Sequence, residues 1–122
     1  MERRTRQQDA IEEVLRNSGR PLTPAEILQL AQQKVSNIGI ATVYRGLKKL
    51  IQSNKASLVN IGGAPPHYES TNLPHHHHFV CRICQKVYDL NNCAHGVEKI
   101  APKNFKVDSH EITLYGTCDL CH

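Results

Sequence analysis

The chain has 122 residues, a formal net charge of +4 and 39% hydrophobic residues, which is the size of one domain or of two very small ones. No apolar run approaches the roughly 20 residues of a membrane-spanning helix, and the N-terminal residues contain no apolar signal-peptide core. We therefore expect a cytoplasmic protein without a membrane partner, in which cysteines favour metal binding over disulfides.

Basic residues and metal-ligating residues divide the chain into two unlike halves. Residues 1–60 carry ten Lys and Arg against five Asp and Glu, whereas residues 61–122 carry five against six. All eight histidines and all five cysteines lie beyond residue 66. This asymmetry predicts a nucleic-acid-binding half joined to a metal-binding half.

Three helices and a hairpin are predicted in the basic half. Apolar residues recur at helical spacing as Ile11, Val14 and Leu15, then Ile27, Leu30 and Ala31, then Val43, Leu47 and Leu50. The second helix opens with a capping box formed by Thr23 and Glu26, and Pro24 suits its first position. The extended residues ASLVNI, a Gly62-Gly63 turn and the residues HYES then predict a hairpin.

This order of elements is that of a winged helix-turn-helix, whose third helix enters the major groove of double-stranded DNA. Its outward side chains are Thr42, Tyr44, Arg45, Lys48 and Lys49. We expect Tyr44 and Arg45 to contact bases, and the two lysines to contact phosphates together with Arg3, Arg4 and Arg6. The alternative is that these basic residues form an ordinary solvated face. The order of elements favours DNA binding over this alternative.

Two Cys-x-x-Cys pairs lie in the second half, Cys81 with Cys84 and Cys118 with Cys121, and 33 residues separate the pairs. Four thiolates are the tetrahedral ligand set that structural Zn2+ prefers, and they leave no open coordination position. Redox or incidental pairs are the alternative. The spacing predicts a structural Zn2+ that ties the start of this half to its end.

Four consecutive histidines, His75 to His78, directly precede the first cysteine pair. In an extended chain His76 and His78 point to one face, and His75 and His77 to the other. One run can therefore supply two ligands to each of two separate sites. Its internal position argues against an expression tag, and an exposed loop without function is the remaining alternative.

Several segments resemble the ferric uptake regulator (Fur) family of metal-dependent repressors, namely TRQQDAIEEVL at 5–15, ATVYRGLKKL at 41–50, HHHHFVCRIC at 75–84 and LYGTCDLC at 114–121. The resemblance covers essentially the whole chain. It implies an α+β protein with a winged-helix domain at 1–66, a hinge at 67–74 and an α/β dimerisation and metal-binding domain at 75–122. It also implies structural Zn2+ on the four cysteines and a homodimer that binds a palindromic operator.

The resemblance places a regulatory metal at the hinge, on Glu69, His76, His78 and Asp89. Nitrogen and oxygen ligands of this kind suit Fe2+, Mn2+ or Zn2+. Many family members add a histidine just before the second helix, where this chain has Arg20-Pro21-Leu22. The site is then four-coordinate, recruits His67, or leaves one position for water.

A second family site uses the opposite face of the run and a later histidine, which gives His75, His77 and His110. The family's usual carboxylate falls on Cys93, with His95 and Glu98 near enough to compete. A thiolate there shifts the preference toward zinc, and a small buried residue is the alternative for Cys93. The glycine usual after the first cysteine pair is Gln85 in this chain.

We therefore predict a metal-responsive, sequence-specific repressor that is not an enzyme. A peroxide sensor is the special case in which peroxide reacts with bound Fe2+ and a ligand histidine is oxidised. A zinc-dependent hydrolase would need a general base beside an open metal site, for which Glu69 or Asp89 could serve, but no substrate-binding motif accompanies them. A metal-storage or chaperone protein would leave the winged-helix half without a purpose.

Overall fold

A computed structural model of the protein describes residues 2–71 and 73–122, with side chains from residue 6 onward. Its elements are α1 (Glu2–Asn17), α2 (Pro24–Ala31), α3 (Ile40–Gln52), β1 (Ala56–Val59), β2 (His67–Ser70), β3 (His77–Cys81), β4 (Val87–Leu90), a short 3-10 helix (Val97–Ile100) and β5 (Thr113–Gly116). The predicted α+β class is confirmed. In the part of the chain that is described, no helix is long and apolar enough to cross a membrane.

The capping box predicted for α2 is present. Thr23 Oγ1 accepts a hydrogen bond from the Glu26 backbone N–H (3.2 Å), and Glu26 Oε1 accepts one from the Thr23 N–H (3.0 Å). These contacts satisfy N–H groups that the first turn of a helix leaves unpaired. Leu30 was expected to face inward and is 37% exposed, because the buried side of α2 presents Ile27 and Ala31, with Leu28 packed beside them.

The three helices enclose one apolar core, to which α3 contributes Val43, Leu47 and Leu50. Gly46 lies where α3 crosses α1. A Cβ atom at that position would lie 2.7 Å from Ile11 Cδ1, and Gln8 Nε2 donates a hydrogen bond to the Gly46 carbonyl (3.2 Å). The glycine thus permits close approach of the two helices and holds the opposite face of α3 toward solvent.

The wing is an antiparallel hairpin of β1 and β2, with Ser57 paired to Glu69. A bridge between Leu22 and Tyr68 joins the wing to the segment before α2, through N–H···O bonds of 2.9 and 2.7 Å. The predicted hinge, 67–74, therefore begins within a strand, and residues 71–76 connect the two sheets. As a result, Glu69 is carried by the wing.

The second sheet has the strand order β4-β3-β5. Strand β3 pairs antiparallel with β4 and parallel with β5, so that His78 lies opposite both Asp89 and Thr113. Only Val80 and Val87 of this sheet are fully buried apolar side chains besides Cys81. Between β4 and β5, the 3-10 helix is the only helical element within the described residues. The side chains that reach β3 from this part of the chain therefore come largely from irregular segments.

Candidate metal centres and DNA-binding face

Three clusters of side chains have metal-ligand chemistry, and the ligand atoms of each lie within 4.8 Å of one another. They are Cys81, Cys84, Cys118 and Cys121; Glu69, His76, His78 and Asp89; and His75, His77, Cys93 and His110. The structure thus brings together each of the three residue sets that the sequence predicts, and their roles as ligands stay predictions. Although β3 begins only at His77, the histidine run still divides between two clusters.

The four-cysteine cluster joins the end of β3 to the C-terminal turn. The Sγ atoms of Cys84 and Cys118 are 3.9 Å apart. Cys81 Sγ accepts backbone N–H groups from Cys84 (3.5 Å) and Cys118 (3.4 Å). Two knuckles that turn backbone N–H groups toward sulfur stabilise thiolates, which is the form that binds a metal.

The thiol pKa values within the cluster shift in opposite directions. Backbone N–H groups of Cys118 and Cys84 lower the pKa of Cys81 to about 6. Its neighbour Cys121 has a pKa raised to about 12, first by the Cys118 sulfur and then by burial. Negative charge on one sulfur therefore opposes ionisation of the next, and a divalent cation removes that opposition. The donor set fits Zn2+.

The second cluster joins the wing to the second sheet. His76 Nε2 lies 3.0 Å from Glu69 Oε1 and 3.6 Å from Asp89 Oδ1. His78 Nε2 lies 3.4 Å from Glu69 Oε2 and 3.6 Å from Asp89 Oδ1. The cross-strand pairing of His78 with Asp89 explains why these two share a face. Glu69 is only 6% exposed, whereas His76, His78 and Asp89 are half-buried.

The buried carboxylate of Glu69 and the half-buried carboxylate of Asp89 perturb each other. Burial, and then the charge of Glu69, raise the pKa of Asp89 to about 6. Burial also opposes ionisation of Glu69, but hydrogen bonding to His78 and the charge of His76 outweigh it and lower the pKa of that carboxyl. Two acidic groups held this close favour a bound cation between them.

Two further observations show that the cluster fits a divalent cation. His76 Nδ1 donates to the Pro74 carbonyl (2.8 Å), which fixes the tautomer and leaves the lone pair of Nε2 directed at the carboxylates. Metal-bound histidines usually have such a second partner. Asp89 Oδ1 is buried and has no hydrogen-bond partner, and such an atom is costly unless something binds it.

Arg20 occupies the position where many family members have a histidine. Its guanidinium forms an ion pair with Glu26 and lies 5.8 Å from the centre of the Tyr88 ring. The side chain therefore spans from the start of α2 to Tyr88 on β4. His67 does not join the cluster. It is 1% exposed, its Nδ1 donates to the Pro65 carbonyl (2.6 Å), and burial lowers its pKa.

The third cluster lies on the opposite face of β3. Cys93 Sγ is 3.0 Å from His110 Nε2, 3.3 Å from His77 Nε2 and 3.8 Å from His75 Nε2. Of the candidates for the fourth position, Cys93 is the one placed in the cluster, and His95 and Glu98 are not. The alternative interpretation of Cys93 is a small buried residue, and its side chain is half-buried.

One backbone contact in the third cluster orients His77. The Ile112 N–H donates to His77 Nδ1 (3.0 Å), which directs Nε2 at Cys93 Sγ. In a neutral ring this contact favours the tautomer with its proton on Nε2. Binding a cation at Nε2 therefore requires the proton to shift to Nδ1 and the Ile112 contact to lengthen. Neither this contact nor the Pro74 one has a sequence signature, because both involve backbone atoms.

The outer face of α3 carries the side chains predicted to bind DNA. Tyr44 is 55% exposed, and Arg45, Lys48 and Lys49 are also exposed. Thr42 is half-buried, and its Oγ1 accepts a hydrogen bond from Arg45 Nη2 (3.1 Å). Arg4, also predicted to contact DNA, lies outside the residues whose side chains are described. The face thus combines an aromatic side chain with three cations.

A winged helix with an exposed basic third helix, joined to a sheet that gathers three metal-ligand clusters, defines a metal-responsive DNA-binding regulator. Comparison with known proteins makes the class specific. The sequence matches the Ferric uptake regulator family over residues 2–115, and the chain belongs to that family. Members of this family are dimeric DNA-binding transcription regulators.

Curated relatives include regulators of two kinds at almost the same identity. The Ferric uptake regulation protein of Campylobacter upsaliensis is 32% identical over 97% of this chain and 79% of its own length. The Peroxide operon regulator of Bacillus subtilis is 31% identical over 96% of this chain and 82% of its own length.

A solved structure extends the likeness to the fold. The Helicobacter pylori ferric uptake regulator Fur is 28% identical and superimposes with a TM-score of 0.75, covering 94% of this chain and 79% of that one. That protein is described as having three functional metal binding sites.

Proposed function

We propose that the chain is a homodimeric repressor that binds a palindromic operator when a divalent cation occupies the cluster of Glu69, His76, His78 and Asp89. The observation that carries the proposal is the origin of these four residues. Glu69 belongs to β2 of the wing, whereas His78 and Asp89 belong to β3 and β4 of the second sheet. Ligation at all four residues therefore holds the wing against the second sheet.

The mechanism is thermodynamic linkage. A ligand shifts a conformational equilibrium only by its difference in affinity for the two states. Glu69 can share a ligand with Asp89 only in arrangements that keep the two sheets close, so occupancy favours one orientation of α3. Fe2+, Mn2+ and Zn2+ all suit two imidazoles and two carboxylates. When bound, the cation supplies the positive charge that the two carboxylates lack.

Dimerisation is supported by the apolar surface of the second half. Ile100 is 86% exposed, Leu120 81% and Phe105 71%. These are among the most exposed large apolar side chains of the chain, and a partner chain in a dimer would cover them. A two-fold dimer places two recognition helices about one turn of DNA apart, which is the geometry a palindromic operator requires.

The roles on α3 follow from chemistry and position. We assign base contacts to Tyr44 and Arg45, with Thr42 orienting the Arg45 guanidinium through its hydrogen bond. An arginine can donate two hydrogen bonds to a guanine edge. Lys48 and Lys49 lie a turn further along and are assigned to phosphates, together with Arg4. The four cysteines are assigned to a structural Zn2+.

One titration tests the regulatory assignment. An operator is first selected from a random-sequence duplex pool with metal-loaded protein, and its affinity is then measured with and without Fe2+ (anaerobically), Mn2+ and Zn2+. His78→Ala should abolish the increase in affinity that added metal causes, while the zinc of the four cysteines stays bound. His77→Ala, which changes the opposite face, should keep most of that increase.

A control separates metal response from DNA contact. Arg45→Ala should weaken operator binding by about 1–3 kcal/mol at every metal concentration, without changing the metal content. If His78→Ala responds to metal as the wild type does, the proposed regulatory site is wrong. If Arg45→Ala binds the operator normally, the assignment of base contacts is wrong, whatever the metal result.

A further inference from the structure

The third cluster differs from the regulatory cluster in its donor atoms. It contains three imidazoles and one thiol, His75, His77, His110 and Cys93, and none of its members is a carboxylate. The regulatory cluster has two imidazoles and two carboxylates. Carboxylates suit Mn2+ and Fe2+, whereas thiolate sulfur is a soft donor that suits Zn2+ and other soft cations.

We propose that the third cluster is a zinc-selective site in which the Cys93 thiolate sets the preference against Fe2+ and Mn2+. Binding forms a sulfur–metal bond as the thiol proton leaves to solvent, with no change of oxidation state. Three imidazoles and one thiolate provide the four donors of a tetrahedral Zn2+ site. The inference is independent of the proposed regulatory site, with which the third cluster shares no ligand.

The structure supports a built site rather than a chance neighbour of one cysteine. His77 is a polar side chain that is only 3% exposed, and its Nε2 lies 3.3 Å from Cys93 Sγ. His75 lies two residues before His77 in the same run, and His110 approaches from another segment, with its Nε2 3.3 Å from that of His75. The ligand atoms converge although the four residues come from three separate parts of the chain.

Position in the fold gives the site a structural consequence. Cys93 follows β4 and His110 precedes β5, so these two residues flank the segment that connects the two strands. The one helical element described in this segment is the 3-10 helix at Val97–Ile100. Ligation by both residues, with His77 on β3, closes this segment onto the sheet. The gain from closing a loop depends only weakly on its length, so even this long segment is restrained.

The two clusters on β3 differ in donor set although their histidines alternate along one run. His76 and His77 are adjacent in sequence, yet they belong to clusters with carboxylate and thiolate donors respectively. A cell's Zn2+ would bind both clusters more tightly than Mn2+ on affinity order alone. With a dedicated zinc site on one face of β3, the metal preference of the regulatory cluster on the other face depends on its two carboxylates.

Cobalt(II) is the probe that tests the proposal, because thiolate ligation gives Co2+ a charge-transfer absorption in the near ultraviolet. Protein with Zn2+ already on its four cysteines is titrated with Co2+ without oxygen, and bound metal is counted. The absorption should appear with one Co2+ per chain. It should be absent in Cys93→Asp, which replaces sulfur by a carboxylate. Zn2+ should displace the Co2+, whereas a 100-fold excess of Mn2+ should not.

The Zn2+ affinity of the third cluster should fall more than about 100-fold in Cys93→Asp, since loss of even outer-shell partners of a metal site costs about 10–100-fold. Iodoacetamide labelling of Cys93, followed by peptide mass spectrometry, should slow in wild type when Zn2+ is added. His95→Ala changes a neighbouring histidine outside the cluster and should leave the absorption, the affinity and the labelling unchanged.

Two controls keep the result interpretable. Asp89→Ala, in the regulatory cluster, should retain the cobalt absorption, so failure of the regulatory proposal and failure of this one give different results. The zinc content of the four cysteines shows that Cys93→Asp is folded. An absorption that survives in folded Cys93→Asp, its absence from wild type, or displacement of Co2+ by Mn2+ as readily as by Zn2+ would overturn the proposal.

Discussion

The two halves of the molecule differ in how much buried apolar core stabilises them. The winged-helix half holds its thirteen core residues, from Ala10 to Ala56, in one apolar cluster. Beyond residue 70, the buried apolar side chains among the described residues are Val80, Cys81, Val87 and Cys118. The first half is stabilised by a core of its own, and the second lacks the buried area to match it.

This contrast explains where the ligand clusters lie. A small domain that buries little apolar surface needs a metal or a partner to be stable. Two of the four buried apolar residues of the second half are themselves members of the cysteine cluster. Its remaining large apolar side chains, such as Ile100 and Leu120, are exposed in the single chain. Metal ligands and a partner surface therefore take the place of a core.

The largest expected effect is on the cysteine cluster. Cys84→Ser should lose about one Zn2+ per chain and unfold the second half, because structural zinc in small domains couples about 10–16 kcal/mol of binding to folding. Elemental analysis and thermal unfolding measure the two losses. Far-ultraviolet circular dichroism should still report the helices α1 to α3, whose core includes no cysteine.

The matched change is Cys93→Ser, which alters a cysteine outside this cluster. It should retain the zinc of the four cysteines, and its loss of stability through the third cluster should be smaller than the loss in Cys84→Ser. A Cys84→Ser protein as heat-stable as the wild type would show that the second half does not depend on its zinc, and the comparison between the halves would fail.

Local signals in the sequence predicted much of this structure. The capping box of Thr23 and Glu26 is formed from residues three apart, so its geometry depends on one turn of helix. The division of the histidine run into two clusters likewise depends only on the two-residue period of an extended chain. The family resemblance added what local patterns could not, namely that Glu69 and Asp89 meet His76 and His78.

Features that depend on tertiary contacts were missed. The outward position of Leu30 depends on how α2 lies against α1 and α3, and hydrophobicity alone favours burial. The contact of Arg20 with Glu26 and Tyr88 links parts of the chain far apart in sequence. The predicted hinge, 67–74, overlaps β2, whose pairing with β1 and Leu22 is non-local and has no local sequence signal.

A smaller effect is expected where the second half buries charge. Asp89→Asn should stabilise the protein that lacks the regulatory metal by about 1 kcal/mol at pH 8, after allowance for solvent screening. Burial and the nearby Glu69 raise the pKa of Asp89 to about 6 from an ordinary value of 3.8. Above pH 6 the folded protein therefore carries an ionised carboxyl that the unfolded chain accommodates more easily, and the amide removes this cost.

The sign of the pH dependence makes this prediction specific. A raised carboxyl pKa means that the folded state binds its proton more tightly, so protonation between about pH 4 and 6 relieves the cost. The advantage of Asp89→Asn should therefore shrink as the pH falls through 6. Thermal unfolding at pH 8 and pH 5 measures it, with the cysteine zinc retained. A variant less stable than wild type at pH 8 would show that Asp89 stabilises the metal-free fold.

The smallest expected effect compares one turn from each half. Gln85 has φ 63° and Asn54 has φ 60°, and left-handed backbone costs an ordinary residue about 1–2 kcal/mol. Asparagine tolerates this region better than glutamine. Gln85→Gly should therefore raise the free energy of unfolding by about 0.5–1 kcal/mol, since glycine's own entropy cost offsets part of the relief, whereas Asn54→Gly should raise it less.

Gln85→Ala, which keeps a Cβ, should give no comparable gain. Urea unfolding of the zinc-loaded protein measures all three changes. An equal gain at both turns would mean that the zinc knuckle holds no more backbone strain than the turn after α3.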